Sequence, residues 1–202
     1  YVNALQWCIG LETFLLMEDP WRIFLTTDHP NGAPFYTYPH LIRLLMDKSF
    51  RDDMLQKINP DAAANSIVGS LTREYSLDEI AIMTRAGPAR SLGLKNIGHL
   101  GVGACADITV YRDDANREAM FAKPELVFKN GELVVRDGKV VKVVNGATHV
   151  ARPAYDKSIE KPLKDYFDRY HTMRMANFAV SDDEIEDNGK GALVIEPGRA
   201  RV

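Results

Sequence analysis

Five residues in a row, Asp28-His29-Pro30-Asn31-Gly32, gather a carboxylate, an imidazole and an amide in one short turn. A carboxylate in such a place can bind a metal ion and accept a proton. The run before it, Arg22-Ile-Phe-Leu-Thr-Thr27, is rich in β-branched and aromatic residues and reads as a buried strand. Asp28 therefore stands at the C-terminal end of a strand. His29 and Asn31 follow as candidate substrate-binding residues at the entrance. Each has a plainer reading. Asx turns before Pro-Asn-Gly are common, a loop histidine often bonds to backbone, and Asn31 and Gly32 can simply make the turn. Asn3 and Gln6, at the start of the first helix, either face the same site or cap that helix. His40, His99, His149 and His171 show no His-x-His or His-Glu-x-x-His spacing, so surface or structural roles are expected. Trp7 and Trp21 are expected in the core.

The elements that hold this turn alternate in period. Residues 3–17 read as a helix that is apolar nearly all round and therefore buried, stopped by Asp19-Pro20. Helical spacing returns from about Pro39 to Ile58 as two helices broken near Asp47 to Phe50. Residues 59–75 are polar and irregular. Ser76-Leu-Asp-Glu79 is a capping-box signature that opens a helix over 77–84. A second short helix opens at Pro88 and closes at Gly93. Helix, strand and polar loop in this order indicate an α/β protein.

After Gly93 the period falls to two. Asp107 to Arg112 is a strand. Asn130-Gly131 and Asp137-Gly138 are hairpin-turn dipeptides between three further arms, the last over 140–144. The result is a β-meander forming one wall of a sandwich. A charged amphipathic helix is expected from Ser158 to about His171. Ser181 to Gly191 is acidic and is expected to be mobile, Leu193-Val-Ile adds an edge strand, and Arg199 to Val202 frays. The glycines of 98–103 invite a phosphate-loop reading. That loop needs a strand before it and a helix after it, and here the order is reversed.

The composition, 46% hydrophobic and 26% charged with a net charge of −3, is that of a globular chain and lacks the basic excess of a nucleic-acid binder. No apolar run is long enough for a membrane span. Two distant cysteines, Cys8 and Cys105, make no disulfide framework and are expected to be reduced and buried in a cytoplasmic protein. The sequence opens at Tyr1 without methionine, and a preceding N-terminal part is expected.

Three blocks together resemble the C-terminal signature of the amidohydrolase superfamily. They are Ser76 to Leu94, ending in Pro88-Ala-Arg-Ser-Leu-Gly-Leu94; Gly98-His-Leu-Gly-Val-Gly-Ala-Cys-Ala-Asp107; and the hairpins from Val127 to Val141. Within that superfamily, Asn3-Ala-Leu-Gln-Trp-Cys-Ile-Gly-Leu-Glu12, Asp19 to Gly32 and Arg73 to Ile82 resemble the family of amidohydrolase-type subunits found in formylmethanofuran dehydrogenases and in formyltransferase/hydrolase complexes. The likeness runs from residue 1 to about residue 180.

The resemblance implies the C-terminal part of a (β/α)8 barrel, its last strand and helices, plus strands of a composite β-sandwich. Residues 1–100 would be barrel, 101–148 sandwich hairpins, and 149–202 a C-terminal helix and tail. It further implies that Asp28 contacts a divalent metal, in a binuclear zinc centre, and is the general base of a reaction interconverting N-formylmethanofuran or N-formylmethylofuran with formate and free amine. The histidine pair and lysine of such a centre are absent from this sequence. A missing N-terminal segment is expected to supply them, so the chain by itself is expected to be inactive and poorly stable alone; the other subunits of the complex are its expected partners. Two alternatives stay open: a non-catalytic assembly segment, or a generic cyclic-amide hydrolase of the dihydroorotase or hydantoinase kind.

Overall fold

Val2 to Leu16 form helix α1, whose Cys8, Leu11 and Leu15 turn inward. The computed structural model describes residues 1–189 and 192–196. Helix α1 is where the sequence places it, but it is not buried all round: Ile9 and Leu16 are more than half exposed. A short 3-10 turn, Pro20–Arg22, follows, with the Asp19 side chain accepting from the Trp21 N–H. Trp21 is only partly covered there, beneath the Arg90 guanidinium, and is not a core residue.

The expected strand over 22–27 takes a different form. From Ile23 the chain is extended, and Ile23 and Leu25 pack on the core while Phe24 and Thr26 face outward. This is strand periodicity. Yet Ile23 to Thr26 make no backbone hydrogen bond to any described residue, so no ladder exists. Side-chain pattern alone cannot create a sheet; a neighbouring strand must supply donors and acceptors.

Helices α2 (Tyr38–Met46) and α3 (Lys48–Leu55) confirm the two expected helices, and the break is the single residue Asp47, whose side chain caps α3 through the Phe50 N–H. The polar stretch beyond is more regular than expected. It holds α4 (Pro60–Ala64), capped by Asn59, and a 3-10 turn at Val68–Ser70. The capping box forms as expected and opens α5 (Leu77–Ala81). The chain does not then break into a second helix. It passes through one wide π turn, Ile82–Ala86, into α6 (Gly87–Ser91). The Gly87 N–H bonds to the Ile82 carbonyl, so the ladder has already widened where Pro88, which has no N–H, enters.

The meander is present. Strands β1 (Ile108–Val110), β2 (Leu126–Lys129), β3 (Glu132–Arg136) and β4 (Lys139–Val140) pair antiparallel in that order, with a bulge at Val127/Phe128. Asn130 and Gly131, then Asp137 and Gly138, all have positive φ, as the two tight turns require. Helix α7 (Arg117–Ala122), capped by Asn116, interrupts the meander between β1 and β2 and packs on α2. Among the described residues of 1–142 this is the one sheet. Cys8 is buried and free, whereas Cys105 is only half-buried and accepts from the Asn96 amide.

The chain divides into two compact units, residues 1–142 and 143–202. In the second, β5 (Ala147–Ala151) pairs parallel with β6 (Ala192–Glu196), the expected late strand. Between them lie α8 (Glu160–Tyr170), the expected amphipathic helix, and α9 (Asp182–Gly189). The acidic segment expected to be mobile is thus helical through Gly189, opened by Ser181 and Glu184 bonding reciprocally. Residues 199–202, expected to fray, lie outside the described residues, as does Gly191. No helix among the described residues is long and apolar enough to cross a membrane.

The core of the first unit joins α1, α2 and α5 through Leu11, Leu15, Leu44, Leu45, Ile80 and Met83. A charge lies inside it. Arg51 is 0% exposed and donates to the carbonyls of Leu44 at 2.7 Å, Leu71 at 3.2 Å and Arg73 at 3.0 Å. Burial pushes its guanidinium pKa down, and Asp52, Glu74 and Asp47 counter that. Beyond it, Arg73 donates to the Met17 carbonyl and to Glu79, and the Tyr75 hydroxyl donates to the Phe14 carbonyl. The bonds to Phe14 and Met17 give two carbonyls at the C-terminal end of α1 a donor.

Replacing Arg51 by Met is expected to cost about 3 kcal/mol or more, since three carbonyls lose a donor at about 1 kcal/mol or more each; denaturant unfolding measures this, and an unchanged midpoint would contradict the role. Acid is a second test. Burial pushes the Glu79 carboxyl up, but the Ser76 N–H and Arg73 outweigh it and hold it below its ordinary value. A depressed carboxylate stabilises the fold above its unfolded pKa, about 4.3, and that contribution is lost as pH falls through the folded value. The melting temperature should drop below about pH 4, and Glu79→Gln should flatten that drop.

Candidate functional site

Asp28 sits where the extended segment ends. Thr27 is buried, and Asp28 turns outward with φ 53°, a left-handed conformation that few non-glycine residues adopt. Such strain in a non-glycine residue is held only by its surroundings, and it gathers at functional sites. Here the surroundings are specific. The Gly32 N–H donates to the Asp28 carbonyl at 3.0 Å and the Ala33 N–H to the Thr27 carbonyl at 2.8 Å. The Asp28 N–H points to the Thr26 hydroxyl oxygen at 3.4 Å. The loop therefore folds back on the end of the extended segment. A Cβ at Gly32 would lie 2.8 Å from the Thr27 carbonyl oxygen, so the fold-back needs glycine.

His29 precedes a cis peptide to Pro30. Its ring stands edge-on to Phe35, with centroids 5.2 Å apart, and its Nδ1 accepts the Phe35 N–H at 3.3 Å. The loop is thus closed at both ends, by Gly32 onto Asp28 and by Phe35 onto His29. Asn31 is exposed at its tip and makes no bond to a described residue. Of the residues singled out from sequence, Asp28, His29 and Asn31 share this loop. Gln6 lies instead on an open apolar groove of about 180 Å³ between α1, α2 and the extended segment, with Trp7, Phe14, Leu25 and Thr26. Asn3 does not line that groove.

Two contributors are not evident from residue type. Phe35 clamps the histidine through both its backbone and its ring, and only the Pro34 before it marks a change of direction. Thr26 supplies the hydroxyl beneath Asp28; the threonine pair before the aspartate is the one available signal.

The remaining histidines are structural, as expected. His40 meets Glu118 at 3.2 Å and joins α2 to α7. His99 bonds within its own loop, His149 pairs with Glu196 across β5 and β6, and His171 stacks in an aromatic cluster with Tyr166 and Phe167. Among the described residues no three His, Cys, Asp or Glu side chains come together as a metal cage. Asp28 fits a metal as one ligand of several and not as a complete centre. A larger cleft of about 280 Å³, lined by Arg112, Asp113, Asp114, Lys123, Glu125 and Asp137, belongs to the meander and contains none of the candidate residues.

Known proteins resemble this chain over nearly its whole length. FhcA, a component of the formyltransferase/hydrolase complex Fhc of Methylorubrum extorquens, is 43% identical over 187 residues, covering 93% of this chain and 34% of that protein. Protein FwdA of Methanocaldococcus jannaschii is 43% identical over 194 residues, covering 90% of this chain and 34% of FwdA. The crystal structure of the FhcABCD complex from Methylorubrum extorquens with methylofuran contains a chain that matches 98% of this one, with a TM-score of 0.84 and 42% identity; this chain covers 36% of it. The chain spans about a third of the length of the relatives it matches. The family model that matches, "Amidohydrolase family", covers residues 2–142 and stops where the first compact unit stops. With well over half of its residues under that model, the chain belongs to the amidohydrolase family.

Proposed function

We propose that this chain is the C-terminal part of a hydrolase subunit that interconverts an N-formylated furan amine, N-formylmethanofuran or N-formylmethylofuran, with formate and the free amine. One observation carries the reading. The likeness to FhcA covers 187 residues and so runs beyond the amidohydrolase match, which ends at residue 142, into the second unit. The amidohydrolase match alone does not account for a likeness that reaches into residues 143–202. On this reading the extended segment Ile23–Thr27 is the last strand of a barrel and the meander is one wall of a composite sandwich.

The chemistry assigned to this chain is proton transfer at Asp28. A water molecule attacks the formyl carbon, and the Asp28 carboxylate takes a proton from it. The C–N bond breaks as Asp28 returns that proton to the amine nitrogen, leaving formate. A divalent metal, in a binuclear zinc centre, is the expected companion of the carboxylate. One carboxylate cannot hold it, so its other ligands would lie in parts of the subunit outside these residues. Asn31, at the loop tip, would meet the substrate at the entrance. The second unit serves assembly with the other subunits, as its apolar helix face suggests: Leu163, Tyr166 and Tyr170 of α8 are all exposed. The complex would work in the cytoplasm.

Asp28→Asn in the full-length protein, assembled with its partners, should lower formate release from the N-formyl amine by about 10²–10⁴-fold while the melting temperature holds. Unchanged turnover would sink the assignment. Gly32→Ala should also lower turnover, by about tenfold or more, because the loop must swing away from Thr27 and carry Asp28 with it. A crystal structure of that variant with Asp28 unmoved would refute this coupling.

A further inference from the structure

We propose that His29 holds the formyl oxygen of the substrate through its Nε2–H, a role that rests on the deformylation reading above. The loop itself fixes which ring nitrogen is available. The Phe35 N–H donates to Nδ1 at 3.3 Å. A nitrogen accepting that bond carries no proton, so the ring proton is on Nε2. The Phe35 ring, edge-on at 5.2 Å and 73°, flanks the imidazole. Nε2 bonds to no described residue, and His29 is exposed. The loop therefore offers one oriented N–H donor on the residue next to Asp28. A donor of this kind cannot take the proton from water, so the two residues divide the work. Asp28 moves the proton. His29 meets the oxygen on which negative charge grows as the formyl carbon becomes tetrahedral. That oxygen ends as a formate oxygen, so formate should feel the same contact.

The competing role is that His29 only pins the loop through Nδ1. Two substitutions separate the roles. In His29→Asn the side-chain oxygen can stand where Nδ1 stood, and nothing reaches the Nε2 position. In His29→Gln an amide N–H stands at the Nε2 position, and the Nδ1 acceptor is gone. With the full-length protein in its complex, kcat and KM are measured on N-formylmethylofuran, and formate binding is measured separately by calorimetry. His29→Asn should lower kcat/KM about 10–100-fold and weaken formate binding about tenfold, whereas His29→Gln, which keeps a donor but loses the Phe35 bond, should lose only about 3–5-fold in each. The reverse ranking, equal loss in both, or no loss in either overturns the proposal. If wild-type complex releases no formate, the deformylation reading falls and takes this inference with it. If wild type is active and the ranking fails, only the inference falls.

Discussion

Arg51 carries a full charge into the interior of the first unit, and three backbone carbonyls converge on its two terminal nitrogens, while its Nε is left without a partner among the described residues. Its guanidinium holds one carbonyl from the last turn of α2 and two from the segment 71–73. That segment is thereby fixed in line with α1, and Arg73 and Tyr75 close the open end of that helix. Helices α1 and α2, held in this way, flank the extended segment that ends at Asp28. A buried charge is costly when unmet, so the arrangement has little freedom to drift. The fold around the loop is thus set by hydrogen bonding to one guanidinium, and the apolar core fills the space that this leaves.

The extended segment shows the opposite economy. Its inward residues are well packed, and its backbone is bonded to nothing among the described residues. A protein can hold a chain straight by packing one face, but packing does not satisfy peptide groups. The loop beyond it is better bonded than the strand that presents it. Asp28 is consequently placed by local contacts from Thr26, Gly32 and Ala33.

Much of this is legible in the sequence. Apolar spacing locates α1, α2, α3 and α8, and the Asn-Gly and Asp-Gly pairs locate the hairpins because left-handed backbone tolerates few other residues. The Ser76 box is equally plain. The same box at Ser181 and Glu184 is masked by an acidic composition that looks like disorder, although one serine and one glutamate suffice to start a helix. Helices α4 and α7 carry asparagine caps at Asn59 and Asn116 but too few apolar residues to show a period. The strand at 22–27 is legible as a pattern and illegible as a ladder, since pairing is a property of two segments. At the site, residue type alone points to Asp28 and His29. It does not point to Phe35, because the bond to the imidazole comes from the backbone, which no side-chain alphabet records.

Gly87 joins these levels. A Cβ there would come within 2.6 Å of the Phe24 ring and 2.9 Å of the Ile82 carbonyl oxygen, at the first residue of α6, just past the wide turn. Phe24 lies four residues before Asp28 on a segment that no ladder restrains. The missing methyl group is therefore a spacer between that helix and the segment that leads into the Asp28 loop. Bulk introduced at this point would act as a lever, shifting the segment along with the carboxylate at its tip.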